Sequence, residues 1–213
     1  IWSRLVGSEM CIRDSQQVHM NRLLGNYGIG HVRYPTAGGG GKEFAQPMYV
    51  NSPYGISIAH NGNLTNSKVL ARELFHAEMR HLNTDSDSEV LLNIFAHELG
   101  KQRAILPSKK HFFQAVRKTH VRCQGAYAVV ALITGFGLVA FRDPRGIRPL
   151  VIGERDGATK KEYIVASENA SFSALGFKTL RDVEPGEAIY IDADGNLHSE
   201  QCSEGSQPTP CIF

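Results

Sequence analysis

An α+β fold with layered antiparallel sheets is predicted by the order of elements along this 213-residue chain. Short strand-like stretches come first. Three helical stretches follow between about residues 66 and 122, and strand-like stretches then fill most of the second half. Elements segregated in this way favour helices layered on antiparallel sheets over an alternating βαβ arrangement.

Residues 1–15 (IWSRLVGSEMCIRDS) have no period and lead into no element, so they are read as a leader foreign to the fold. Residues 27–33 read as a strand ending at Tyr34-Pro35, and the four glycines Gly38 to Gly41 as a loop. Residues 55–60 form a second predicted strand, stopped by the turn signal Asn61-Gly62. Asn66 is placed to cap a helix running to about Arg80, with Val69, Leu70, Leu74 and Phe75 at helical spacing. Ser86 caps the next helix, and Glu89 three residues on completes a capping box. Val90, Leu91, Ile94, Phe95 and Leu99 give that helix its buried face, and Gly100 ends it. A third helix covers residues 110–122.

Six strands are then predicted, over 126–134, 138–142, 150–153, 162–166, 188–192 and 196–199. Gly135-Phe136-Gly137 turns the first into the second, and a short helix over 168–175 ends at Gly176. The stretch 206–210 holds two prolines and reads as the start of a linker.

Composition narrows the function classes. Hydrophobic residues make up 42% and charged residues 21%, as in ordinary globular proteins. A net charge of +2 without a basic run argues against nucleic acid. The longest apolar stretch, 126–141, is broken by two glycines and is too short to cross a bilayer. Cys11, Cys123, Cys202 and Cys211 form no close CxxC pair, which argues against zinc, and so few cysteines fit a reducing, cytoplasmic compartment. The nine histidines show no metal spacing. Gly25, Gly28 and Gly30 lack the context of a nucleotide-binding loop. Cys123, between a helix and a buried strand, reads as a core thiol.

Three runs carry candidate chemistry: HVRYPTAG (31–38), HNGN (60–63) and NTDSDSE (83–89). The Arg33 guanidinium can grip a carboxylate in a bidentate fork, and Thr36 can add a hydroxyl. Asn61 and Gly62 can present a side-chain and a backbone N–H to one oxyanion. A carboxylate at the start of the second helix, Asp85 or Asp87, can bind an ammonium group. Taken singly, each has an ordinary reading: a surface ion pair, a hairpin turn, a helix N-terminus favoured by acidic residues. Together they can hold both ends of a free amino acid and an oxyanion on its side chain.

In order along the chain, HVRYPTAG, AQPMYVNSPYGI, AHNGNLTN, NTDSDSEVLLNIFAHEL, QGAY, FRDPRGIRPLVIG, VASE, LGF, LRDVEPGEAIYI and PCIF resemble the glutaminase domain of the amidophosphoribosyltransferases over roughly residues 17–213. The resemblance implies a four-layer αββα N-terminal-nucleophile hydrolase fold, here lacking its first strands. It divides the chain into the leader (1–15), a partial class II glutamine amidotransferase domain (16–207) and the start of a linker (208–213) to a missing phosphoribosyltransferase domain. It also implies L-glutamine as the ligand, held by Arg33, Thr36 and Asp87, with Asn61 and Gly62 as the oxyanion hole.

In that family a chain-terminal cysteine attacks the side-chain amide, and the released ammonia displaces pyrophosphate from phosphoribosyl pyrophosphate, which opens purine synthesis. The whole enzyme is expected to be a homo-oligomer with no nucleic-acid or membrane partner. Mg2+ is expected only in the missing domain, no cofactor in this chain, and an iron–sulfur cluster is left open, since Cys211 alone does not make one. Met10-Cys11 mimics a processed start, yet Ile12-Arg13-Asp14-Ser15 follows instead of a glycine-rich strand. Cys11 is therefore not expected to be the nucleophile, and the chain as written is expected to be inactive. Two other readings are a catalytically dead glutamine-binding module and another class II amidotransferase.

Overall fold

The structure, a computed structural model, describes residues 25–32, 42–205 and 209. Arg33, Thr36, the Gly38–Gly41 loop, Cys11, Cys211, the 1–15 leader and nearly all of the linker stretch lie outside the described residues.

Six strands form one antiparallel sheet in the order β1-β2-β3-β4-β8-β9. They are β1 (Met48–Val50), β2 (Ile56–Leu64), β3 (Gly125–Ile133), β4 (Gly137–Arg142), β8 (Glu187–Asp192) and β9 (Leu197–Gln201). A second sheet, in the order β6-β5-β7, joins β5 (Val151–Asp156), β6 (Lys161–Ala166) and β7 (Lys178–Asp182). The α+β class with antiparallel sheets is therefore as expected.

Three helices cover one face of the large sheet: α1 (Ser67–His76), α2 (Asp87–Gly100) and α3 (Lys109–Arg122). Ile56, Ile58 and Leu64 of β2 pack there against Leu91, Ile94 and Phe95 of α2 and Phe112 and Val116 of α3. α2 is buried almost all round, as befits a helix between a sheet and two other helices. The other face of the large sheet meets the small one through Ala128, Ala140, Ile152, Ile189 and Ile191. Gly28, Ile29 and Gly30 also reach this second interface, where they line an apolar cavity of about 150 Å³ with Val130, Leu138, Val165 and Ile189.

Several local expectations are corrected. Residues 27–32 form no strand. A strand needs a ladder partner, and none pairs with them among the described residues; instead the Tyr27 hydroxyl donates to the carbonyl of Ala193. β2 does not stop at Asn61-Gly62 but runs through it to Leu64. The reason is glycine: Gly62 (φ +149°) lies opposite Tyr127, and a Cβ there would sit 2.0 Å from the Ala126 carbonyl oxygen. The close backbone approach that would exclude any side chain keeps the ladder intact.

Helix α1 ends at His76 rather than near Arg80. The chain reverses through Met79 (φ +51°), which lets Arg80 donate to Asn93 Oδ1 and Glu78 reach Arg122. Asn66 stands at the N-cap without a capping bond, because its side chain bridges the Arg122 carbonyl and the Gln124 N–H. Ser86 does cap α2, accepting from Ser88 N–H. Glu89 does not reach back to complete a capping box; its carboxylate is taken by the N–H groups and side chains of Asn83 and Thr84. The helix expected over 168–175 shrinks to a 3-10 turn, Ser173–Leu175, next to Phe172, which is buried against Gly153. β1 and β7 carry no strand signal in the sequence. β1 has only three residues, and β7 is a mostly exposed, polar edge strand without alternation.

Two buried histidines give the fold a pH dependence. His60 and His120 are nearly fully enclosed, and desolvation lowers both from 6.5 to about 4. For His60 the Asp87 carboxylate opposes this, while His31 and Arg148 add to it. Each is neutral in the folded chain near neutral pH. Below pH 6.5 the unfolded chain binds protons that the folded chain refuses until about pH 4, so the stabilisation is complete above 6.5 and is lost as pH falls toward 4. Urea unfolding across this range is expected to show the midpoint falling steadily below pH 6.5.

Candidate functional site

The ladder parity of β2 decides what its end can do. Thr65 N–H bonds the Gln124 carbonyl and Thr134 N–H bonds the Gly55 carbonyl. In an antiparallel pair the bonded residues alternate, so the odd-numbered residues of β2 spend their backbone groups on β3. The even-numbered ones point their N–H groups to the opposite edge. There β1 pairs only as far as Ile58, opposite Met48.

Beyond that pair the edge is finished by side chains. His60 N–H donates to Gln46 Oε1 at 2.7 Å. Leu64 N–H donates to Asp87 Oδ2 at 2.9 Å. Between them, Gly62 N–H has no acceptor among the described residues. A backbone donor left open between two satisfied neighbours is suited to an arriving oxygen.

Asn61 precedes it in β2 with its side chain on the other face of the sheet, where Nδ2 reaches Ser167 Oγ only at a long 3.5 Å. Such a weak bond is readily exchanged for a better acceptor. Asp87 stands in the first turn of α2, half-buried, with one oxygen on Leu64 and the other free of partners among the described residues. Asp85, by contrast, is exposed. Of the two carboxylates the sequence left open, only Asp87 shares the edge with Gly62. His31, at the start of the run holding Arg33 and Thr36, lies close enough to His60 to affect its protonation. The structure thus gathers Asn61, Gly62 and Asp87, and places His31 within electrostatic reach of the neighbouring His60. None of the three lines the apolar cavity between the sheets.

Neither described cysteine can serve as a nucleophile. Cys123 and Cys202 are buried, and desolvation pushes both thiols up to about 12. A protonated thiol is not the attacking species. Cys123 is the core thiol expected from its position.

Sequence reasoning missed Gln46 and Ser88, both buried. The available signal was faint: two uncharged polar residues in otherwise ordinary runs. Their partners lie 14 and 28 residues away in sequence, so spacing gives no hint of them.

Comparison with known proteins gives a consistent picture. The glutamine amidotransferase domain family matches residues 39–174. Amidophosphoribosyltransferase from Pseudomonas aeruginosa is 55% identical over 203 residues, covering 95% of this chain and 40% of that protein. The Escherichia coli K12 protein of the same name is 56% identical over 196 residues, covering 92% of this chain and 39% of its own length. The chain therefore spans about 40% of the length of these relatives. Among solved structures, glutamine phosphoribosylpyrophosphate amidotransferase from B. subtilis, complexed with ADP and GMP, superposes with a TM-score of 0.67 at 32% identity. That match covers 85% of this chain and 36% of the other. The fold class is thus that of the N-terminal-nucleophile hydrolases. Of its four layers, the described residues contain one helical layer and both sheets.

Proposed function

Because the chain belongs to the glutamine amidotransferase domain family, we propose that its pocket binds L-glutamine and forms the glutaminase half of an amidophosphoribosyltransferase. The observation that carries this reading is the open Gly62 N–H, flanked in sequence by Asn61 and along the strand edge by Asp87.

In the proposed reaction a cysteine thiolate attacks the side-chain amide carbon of glutamine. The carbonyl oxygen becomes an oxyanion, which accepts from Gly62 N–H and Asn61 Nδ2. Loss of one such donor typically costs about 100- to 1000-fold in rate. The proton shed by the thiol passes to the amide nitrogen, which leaves as ammonia, and water then cleaves the thioester to release glutamate and the thiol. Asp87 binds the α-ammonium group with its second oxygen, while Arg33 and Thr36 take the α-carboxylate. The ammonia then displaces pyrophosphate from phosphoribosyl pyrophosphate on a transferase domain. With Cys123 and Cys202 buried and protonated, the thiolate must come from elsewhere. A pocket without one would act as a glutamine sensor, and assaying glutamate release separates the two readings.

Calorimetry on the 213-residue chain tests the binding. Asp87→Asn keeps the size of the side chain but loses its charge, so L-glutamine affinity is expected to fall about 10- to 100-fold, in line with the loss of one charged hydrogen bond. Arg33→Ala is expected to weaken binding at least as much. Unchanged affinity in both variants would exclude this pocket.

A further inference from the structure

We propose that Gln46 and Ser88 are positioning residues that hold the Gly62 N–H and the Asp87 carboxylate in one fixed frame. The inference rests on the reading of this edge as a glutamine site.

The side-chain orientations are fixed by elementary donor and acceptor rules. His60 N–H can only donate, so the Gln46 oxygen must face it and the Gln46 amide N–H must face Ser88 Oγ, at 3.1 Å. Ser88 Oγ lies 3.0 Å from His60 Nδ1. The Ser88 hydroxyl accepts from Gln46, and since no acceptor other than Nδ1 faces its hydrogen among the described residues, it directs that hydrogen to Nδ1. The His60 ring therefore carries its hydrogen on Nε2, which has no partner among the described residues. All three residues are buried, with exposures of 8% for Gln46 and 3% each for His60 and Ser88.

This network spans the two structures that make the site. Gln46 holds β2 two residues before Gly62, and Asp87 holds it two residues after. Ser88, adjacent to Asp87 in the first turn of α2, ties the Gln46 end to the helix that carries the carboxylate. Gly62 is thus clamped from both sides by groups that are themselves linked. The clamp sets where the open N–H points relative to the ammonium-binding oxygen. Preorganisation of that kind is what an oxyanion donor requires, since a donor free to reorient loses its advantage.

Two substitutions of Gln46 separate the clamp from mere packing. Gln46→Glu keeps an oxygen for His60 N–H but presents a second oxygen to Ser88. The Ser88 hydrogen then turns to the carboxylate, and Ser88 accepts from His60 instead. The ¹⁵N spectrum of the His60 ring is expected to switch from the Nε2–H to the Nδ1–H tautomer. Gln46→Leu removes both bonds, and L-glutamine affinity by calorimetry is expected to fall about tenfold. Ser88→Ala, which leaves the bond from Gln46 to His60 N–H in place, serves if the leucine variant fails to fold and is expected to show a smaller loss.

A tautomer that stays Nε2–H in Gln46→Glu overturns the network. So does wild-type affinity in folded Gln46→Leu or, should that variant not fold, in Ser88→Ala. A wild-type chain that binds no glutamine while the tautomer still switches removes the functional reading, and with it the positioning role.

Discussion

Replacing Gly62 with alanine is expected to destabilise the chain by about 3 kcal/mol or more and to abolish glutamine binding. Two independent terms add. A φ of +149° is left-handed territory where an L side chain is strained, and the new Cβ would lie 2.0 Å from the Ala126 carbonyl oxygen and 2.8 Å from Tyr127 Cα. Both neighbours are backbone, so relief requires β2 and β3 to part. Gly135 supplies the control. Its φ is +82° but nothing lies within 4 Å of its would-be Cβ. Gly135→Ala therefore carries only the strain term, about 1 kcal/mol. Urea unfolding of the two variants checks the difference, and equal losses would show that the close approach to β3 contributes nothing.

Asp143→Ala is expected to cost about 3 kcal/mol, because it removes at once the acceptor of the buried Tyr127 N–H and of three half-buried loop N–H groups. Asp143 is fully buried. Its Oδ1 accepts from Arg145 N–H, and its Oδ2 accepts from the N–H groups of Tyr127, Ile147 and Arg148. Arg142 grips the same loop by donating to the carbonyls of Gly146 and Arg148, and ties it to the Val183 carbonyl beyond β7. The run RDPRGIRPL is thus a loop tied down by its own first two residues. Tyr127 receives Asp143 Oδ2 on its N–H and gives its carbonyl to Asp143 N–H. Since Tyr127 lies opposite Gly62, the loop also fixes the strand behind the proposed oxyanion donor. Asp143→Asn keeps one acceptor oxygen but opposes an N–H to the remaining donors, so an intermediate loss is expected. Chemical unfolding of the two variants measures it, and a loss below about 1 kcal/mol for Asp143→Ala would mean that water takes over these donors.

The sequence made the helices and the hairpin β3–β4 legible because their hydrophobic periods and glycine punctuation are local. It failed where a local signal has two physical outcomes. Asn-Gly favours a tight turn, but it also allows a strand to pass a neighbouring backbone at short range. Only the register with Ala126 and Tyr127 selects the second. Glu89 at the third position after Ser86 fits a capping box. The N–H groups of Asn83 and Thr84, brought round by the preceding loop, offer it more bonds than the Ser86 N–H does.

The 27–32 segment has a strand-like pattern without a ladder to join among the described residues. For the site, the chemical types Asn61, Gly62 and Asp87 were readable. The row of edge donors was not, because it depends on which residues of β2 spend their hydrogen bonds on β3. That alternation also separates Asp87 from Asp85, which spacing left undecided.

The central claim is that Gly62 N–H is the open donor of a glutamine site. Titrating ¹⁵N-labelled chain with L-glutamine tests it directly, because an amide that gains an acceptor moves its resonance downfield. The expected result is a saturable downfield shift of the Gly62 amide, accompanied by shifts at Asn61 Nδ2 and Asp87, and absent with D-glutamine. A saturating titration that leaves Gly62 and Asn61 unmoved, with shifts clustered elsewhere, would contradict the account.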